Sequence, residues 1–180
     1  MRSIEWYEET EWLNAALGAG GAFVVALDTD RKPNPMTIGW AQVGIVWSIP
    51  TVSVLIRESR YTHSCIRRAD SFAVCVPRPG ELTAALAFCG SMSGRDVDKV
   101  EKAGLRLAPA KKIETPILEA CGLHYECEII ARTQQTRADF GRGAADVLEK
   151  YYAEGDHHLV VHGRLVAAYV TRARAERSTR

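Results

Sequence analysis

Hydrophobic and polar positions follow two periods along this chain. Trp6, Leu13 and Leu17 fall on a helical repeat, which predicts a helix over residues 3–18. After the break at Gly18–Gly21, Ala22-Phe23-Val24-Val25-Ala26-Leu27 is a short β-branched run, stopped by Asp28-Thr29-Asp30 and Pro33-Asn34-Pro35; this reads as strand, then turn. Residues 36–46 alternate loosely and predict a second strand. Pro50 opens a third, in which Val52, Val54 and Ile56 share one face. A short helix is expected over 62–68, a strand over 71–76, and a stop at Pro77-Arg78-Pro79-Gly80. Residues 81–103 read as helix, loop, helix, with Gly90–Gly94 as the loop and the second helix over 96–103, Ser93 capping it and Asp96 in its first turn. Strands resume over 121–132 and 157–170, and Val147, Leu148 and Tyr151 give 138–152 a helical spacing.

The order is therefore mostly strands, with helices grouped in insertions. Without regular βαβα alternation or a G-x-G-x-x-G turn, a doubly wound parallel sheet is not expected. A mainly β fold, mostly antiparallel and closed into a barrel with helices outside, fits better. The 180 residues allow about one domain, divided into an N-terminal helix over 1–19, the barrel over 20–170 and a charged, frayed tail over 171–180. The 47% apolar and 25% charged composition is that of a globular chain and excludes intrinsic disorder. Twenty-three basic residues against 22 acidic ones leave a net charge of +1, so no basic field calls for nucleic acid. No apolar run reaches the roughly 18 residues of a membrane span, and the start, charged within five residues, is unlike a secretory signal. The five cysteines are spaced singly with no C-x-x-C, so a metal tetrathiolate is not expected; Cys75, Cys121 and Cys127 lie in apolar strand-like runs that predict buried thiols, and a reducing cytoplasm is expected.

Three stretches carry polar groups that a plain barrel does not need. Met36-Thr37-Ile38-Gly39-Trp40 reads either as a strand with Trp40 in the core or as a backbone edge facing a flat heterocycle, Gly39 permitting close approach. Arg57-Glu58-Ser59-Arg60-Tyr61-Thr62 follows a strand and opens a helix, so guanidinium and hydroxyl donors gather where an anion would sit; a solvated, capped turn is the plainer alternative. Phe88-Cys89-Gly90-Ser91-Met92-Ser93-Gly94-Arg95-Asp96-Val97-Asp98-Lys99 can cradle a phosphate or lie along a polyol chain, but is no P-loop. His157, His158 and His162 do not assemble a metal site, because positions four apart on a strand are ~13 Å apart; no metal is expected.

In their order and spacing over roughly residues 20–170, these motifs, with Tyr151-Tyr152 and Asp156-His157-His158 leading to Gly163, resemble the flavin reductase-like FMN-binding split-barrel family, in its flavoredoxin-like branch. The resemblance implies a split β-barrel with FMN as cofactor. It implies that Met36, Thr37, Ile38 and Trp40 edge the isoalloxazine, that Arg57, Ser59, Arg60, Tyr61 and Thr62 bind phosphate and ribityl, and that Cys89, Gly90, Ser91, Ser93, Gly94, Arg95, Asp96 and Lys99 form the loop around the flavin. His158 matches a histidine near the open ring face, where nicotinamide or substrate would be met. The expected activity is reduction of flavin by NADH or NADPH; the alternatives are an electron carrier of flavoredoxin type and a non-catalytic flavin-binding module. The expected partners are a second copy in a homodimer, with FMN at or near the interface, and either a small-molecule substrate or a redox protein. The sequence departs from the family pattern at Val161-His162-Gly163-Arg164, with a histidine before the glycine and an arginine after it, and at 136–143, where Arg137, Arg142 and two glycines form either a lid or a surface loop.

Overall fold

The computed structural model describes residues 1–171; of the expected tail over 171–180, all but Thr171 lies outside them. The chain opens with a two-residue strand, β1 (Arg2–Ser3), and its helix α1 is confined to Thr10–Gly18. The predicted helix over 3–18 is shortened because Arg2 and Ser3 pair with Val170 and Tyr169, and Glu9 enters α1 at a left-handed φ of 60°. Leu13 is buried, and the Trp12 indole donates to the Pro77 carbonyl at 2.9 Å, which anchors α1 across the sheet end.

The strands that follow are β2 (Ala22–Leu27), β3 (Pro33–Ile38), β4 (Ala41–Val46) and β5 (Ile49–Arg57), then α2 (Tyr61–Ile66), β6 (Ser71–Val76), α3 (Thr83–Ser91) and α4 (Lys99–Lys102). The short β7 (Leu107–Ala108) and β8 (Ile117–Leu118) form a ribbon of their own. β9 (Leu123–Gln134), two short 3₁₀ turns, α5 (Ala145–Tyr152) and β10 (His158–Val170) complete the fold. The main sheet runs β3-β2-β6-β9-β10-β5-β4, antiparallel throughout, with β1 beside β10.

That order requires closure. The first and last strands of the path, β3 and β4, are joined in the chain by Gly39 and Trp40 alone, so the sheet must curl until its ends meet. Side chains from one face of every major strand accordingly share one core, among them Val24, Ile38, Val54, Phe72, Tyr125 and Val161. The opposite face buries Phe23, Val25, Ala73, Cys75 and Tyr169 beneath α3 and the β7–β8 ribbon. The architecture is the expected split β-barrel with helical insertions, and the split falls at Gly39–Trp40. Here the predicted strand over 36–46 divides in two.

β10 has register shifts at His162/Gly163 and Leu165/Ala167, which bend this long strand around the barrel. Gly163 sits at the first: a Cβ there would stand 2.6 Å from both Cys127 Cβ and Phe72 Cε1, so a side chain would force the core apart. On the outer face, the buried carboxylate of Glu126 accepts from the amides of Lys111 and Lys112, each at 2.7 Å, and from the Tyr169 hydroxyl at 2.6 Å. It pins the loop before β8 to the sheet. All five cysteines are buried and unpaired. No helix among the described residues is long and apolar enough to cross a membrane.

Candidate functional site

The split opens into a cleft. Its first lobe, about 170 Å³, is lined by Met36, Thr37, Ile38, Gly39, Trp40, Leu55, Arg57, Arg60 and His158. A second lobe of about 130 Å³ is lined by Ser59, Tyr61, Thr62, Ser91, Met92, Ser93, Arg95 and Lys99, and shares Met36 and Arg60 with the first. One lobe has a strand backbone and an indole for walls; the other has guanidinium groups and hydroxyls. Together they can receive a flat ring at one end and an anion at the other.

Trp40 stands at the flat end, outside the core. Its ring meets Tyr151 edge-on at 5.0 Å and His158 at 4.7 Å. The six residues 57–62 divide between two tasks. Arg57 turns toward the β10 entry, donating to the carbonyls of Asp156 at 3.0 Å and Tyr151 at 3.1 Å, and lies over the rings of Trp40 and Tyr152. The Ser59 amide and hydroxyl donate to the Asp156 carboxylate at 2.9 and 2.8 Å. Burial opposes ionisation of Asp156, but these two bonds and the Arg57 guanidinium outweigh it and hold its pKa below the ordinary value. Arg60 alone of the pair reaches both lobes. One arm donates to the Gly90 carbonyl at 2.8 Å, and its other N–H groups have no protein partner among the described residues.

Arg95 faces it across the second lobe, its guanidinium 5.3 Å over the Tyr61 ring and reaching the Ser59 carbonyl at 3.5 Å. The loop carrying Arg95 lies tight against β3. A Cβ on Gly94 would overlap Asn34 Oδ1 and stand 2.7 Å from Tyr61 Cδ1. The helix predicted over 96–103 is only Lys99–Lys102, and the cap is Asp98, whose side chain accepts from the Glu101 amide at 3.1 Å. Ser93 instead accepts from the Arg95 amide at 3.2 Å, and Asp96 is exposed within the loop. An aspartate competes well for a cap position, and here the later one wins.

Other residues of the motif brace the lobes from behind. Lys99 is buried and donates to the carbonyls of Pro35 at 3.0 Å and Cys89 at 3.1 Å, tying β3 to the end of α3. Burial lowers its pKa. Cys89 is fully buried, and burial pushes its thiol up to about 11, which leaves it protonated and inert. Thr37 donates to the Leu86 carbonyl at 2.6 Å, and Thr62 accepts from Asn34 at 2.7 Å out of solvent. The Gly90 carbonyl holds Arg60, and Ser91 donates back to Ala87. Leu55, Asn34, Asp156, Tyr151 and Tyr152 also shape the site, although the residues alone assign them no role. Four of them lie in or beside the quoted motifs; Leu55 carries no signal but its place on β5.

His158 closes the first lobe. It is buried, and its Nδ1 lies 2.7 Å from the Tyr152 hydroxyl. Burial, helped by the Arg57 guanidinium, lowers its pKa to about 4. His162 points elsewhere, with Nδ1 2.7 Å from Ser53 Oγ.

Fold and cleft define a split-barrel protein whose two-lobed cleft has room for a flat ring beside an anion. Residues 15–178 match the flavin reductase-like domain, and the chain belongs to that family. An uncharacterised protein of Archaeoglobus fulgidus is 36% identical over 104 residues, 58% of either chain, so this chain spans less than two thirds of that relative's length. Among solved structures, the FMN-binding protein of Thermus thermophilus with bound 1-cyclohex-2-enone is 27% identical, covering 84% of this chain and 70% of its own, with a TM-score of 0.59. The flavoredoxin of Desulfovibrio vulgaris (20% identity, TM-score 0.65) covers 84% of this chain and 69% of its own. Component B of nitrilotriacetate monooxygenase from Bacillus cereus (18% identity, TM-score 0.66) covers 98% and 85%. These two share the fold.

Proposed function

We propose that the chain binds FMN in the two-lobed cleft and is an NAD(P)H-dependent flavin reductase. The observation that supports it most is the continuity of the flat lobe with the lobe of Arg60 and Arg95. The donor set fits the cofactor: the backbone of Met36–Trp40 for the ring edge, Ser91 and Ser93 for the polyol, Arg60 and Arg95 for the phosphate. Bound FMN supplies the redox chemistry, and the protein supplies position and electrostatics. Arg60 orients the ligand by joining both lobes. Trp40, backed edge-on by Tyr151, walls the ring end, and His158, uncharged at neutral pH, borders it without adding positive charge.

A carrier of flavoredoxin type is the second reading. It is favoured by Arg57: two of its arms are committed to the Tyr151 and Asp156 carbonyls, so it is not free to take the phosphates of a nicotinamide dinucleotide over the ring lobe. In both readings the protein acts as a homodimer, for which the exposed Ile45 on edge strand β4 and Trp47 just after it offer apolar surface. The visible spectrum of the purified protein tests the cofactor: oxidised-flavin bands are expected, and a colourless protein that takes up no added FMN overturns the reading. Anaerobic stopped-flow mixing then separates reductase from carrier. Bleaching by NADH or NADPH within the turnover time supports the reductase; no bleaching by either leaves the carrier.

A further inference from the structure

Tyr152 is buried at the end of α5, and the partner its hydroxyl reaches among the described residues is His158 Nδ1. A buried O–H that donates to nothing is costly, whereas the phenol's spare lone pair is a smaller loss. The pair is therefore best satisfied with Tyr152 donating and Nδ1 accepting. A neutral imidazole carries one ring proton, which then resides on Nε2. Among the described residues Nε2 has no protein partner and, unlike His157 Nε2, it is not sealed from solvent; His158 itself lines the ring lobe.

The surroundings hold this arrangement. The His157 ring stacks flat on Tyr152, 4.9 Å away and 6° from parallel, and the Phe140 ring lies 5.2 Å from Tyr152. The charged groups nearby are Arg57 from β5 and Asp156 from the turn before β10. Arg57 lies 5.4 Å over the Tyr152 ring and disfavours an imidazolium, while the Asp156 carboxylate is already occupied by Ser59 and Arg57. We propose that Tyr152 is a positioning residue that holds His158 as the neutral Nε2–H tautomer, giving the ring lobe a fixed N–H donor that selects a carbonyl oxygen in its ligand. The tautomer belongs to the chain alone; only the identity of the carbonyl rests on the proposed function, as a ring carbonyl of FMN or the carboxamide of a nicotinamide.

Two-dimensional ¹⁵N–¹H correlation of the histidine rings in the full chain reads the tautomer directly. At pH 7, His158 is expected to show an unprotonated Nδ1 and a protonated Nε2, unchanged down to pH 5. In Tyr152→Phe the two nitrogens should average between tautomers. An Nδ1–H tautomer or an imidazolium at pH 6 in the wild type overturns the proposal, as does a Tyr152→Phe protein that keeps the pure Nε2–H form. If that variant does not fold, the wild-type spectrum still decides. A downfield move of the Nε2 proton when FMN is added places a flavin carbonyl there; a move that needs NADH as well places the carboxamide. FMN bound with no move in either arm overturns the carbonyl assignment. FMN that does not bind at all defeats the proposed function, while the tautomer measurement stands on its own.

Discussion

Arg60 stands where the two lobes meet, and the rest of the site is arranged around keeping it there. One arm is fixed on the Gly90 carbonyl, so the remainder of a rigid fork is presented with little entropy left to lose. Arg60→Ala removes that charge-assisted contact and is expected to weaken FMN by about 2–3 kcal/mol, roughly 30- to 150-fold in Kd. Fluorescence titration measures it, and an unchanged Kd removes Arg60 from the phosphate lobe. Gly94 makes a different contribution, since it lets the Arg95 loop press on Asn34 and Tyr61. Gly94→Ala should push this loop outward and lower FMN affinity by about tenfold or more, the order of effect of one lost charged contact. Gly90→Ala, whose added carbon would meet only Thr37 at 3.4 Å, should bind nearly as the wild type does. Equal losses in the two variants would show that the close approach at Gly94 does not matter.

At the scale of elements, alternation along each strand reveals its inner face, as Val52, Val54 and Ile56 show by reaching the core together. Strand order is not written in alternation, because it depends on partners distant in sequence; the β3–β4 junction gains its meaning only from the position of the two strands at opposite ends of the path. The same limit explains Arg57 and Ser59. Their composition points to an anion, but the anion they meet is Asp156, 97 to 99 residues away in the chain. The β4–β5 hairpin has a feature of its own. Trp47 and Ser48 form its two-residue turn with φ of 51° and 59°, a left-handed pair that usually favours asparagine and glycine, yet Trp47 is 65% exposed. Local folding does not account for a tryptophan there; contact with the second copy of the proposed homodimer would. The double variant Trp47→Asn, Ser48→Gly is expected to raise stability by about 1 kcal/mol, through relief of the turn, while shifting light scattering from dimer toward monomer. A variant that is more stable and equally dimeric would dissociate this hairpin from assembly.

For the molecule as a whole, two buried histidines set the response to acid. His124 and His158 lie in different places, one stacked on Tyr169 with Nε2 bonded to the Cys121 carbonyl, the other in the cleft. Burial pushes both pKa values down to about 4, from an ordinary 6.5. In the unfolded chain both take up protons below pH 6.5, while the folded chain resists until about pH 4. The unfolded state therefore binds more protons across that window, and stability falls as pH drops through it. Each group contributes roughly 2–3 kcal/mol to the fall, since every tenfold loss of proton affinity on folding is worth about 1.4 kcal/mol. Asp156, held below its ordinary pKa, adds a loss only at lower pH, as its carboxylate is protonated and releases Ser59 and Arg57. Urea unfolding of the flavin-free protein should thus give a midpoint that is level from pH 7 to about 8, below the range in which unfolded thiols ionise, and that declines from pH 6.5 toward 4.5, earlier than carboxylates alone would cause. His124→Phe fills the same stacked position without a titrating ring and should remove about half of that decline. The same decline in the variant and the wild type would show that His124 does not carry its share, and that the acid response comes from elsewhere in the barrel.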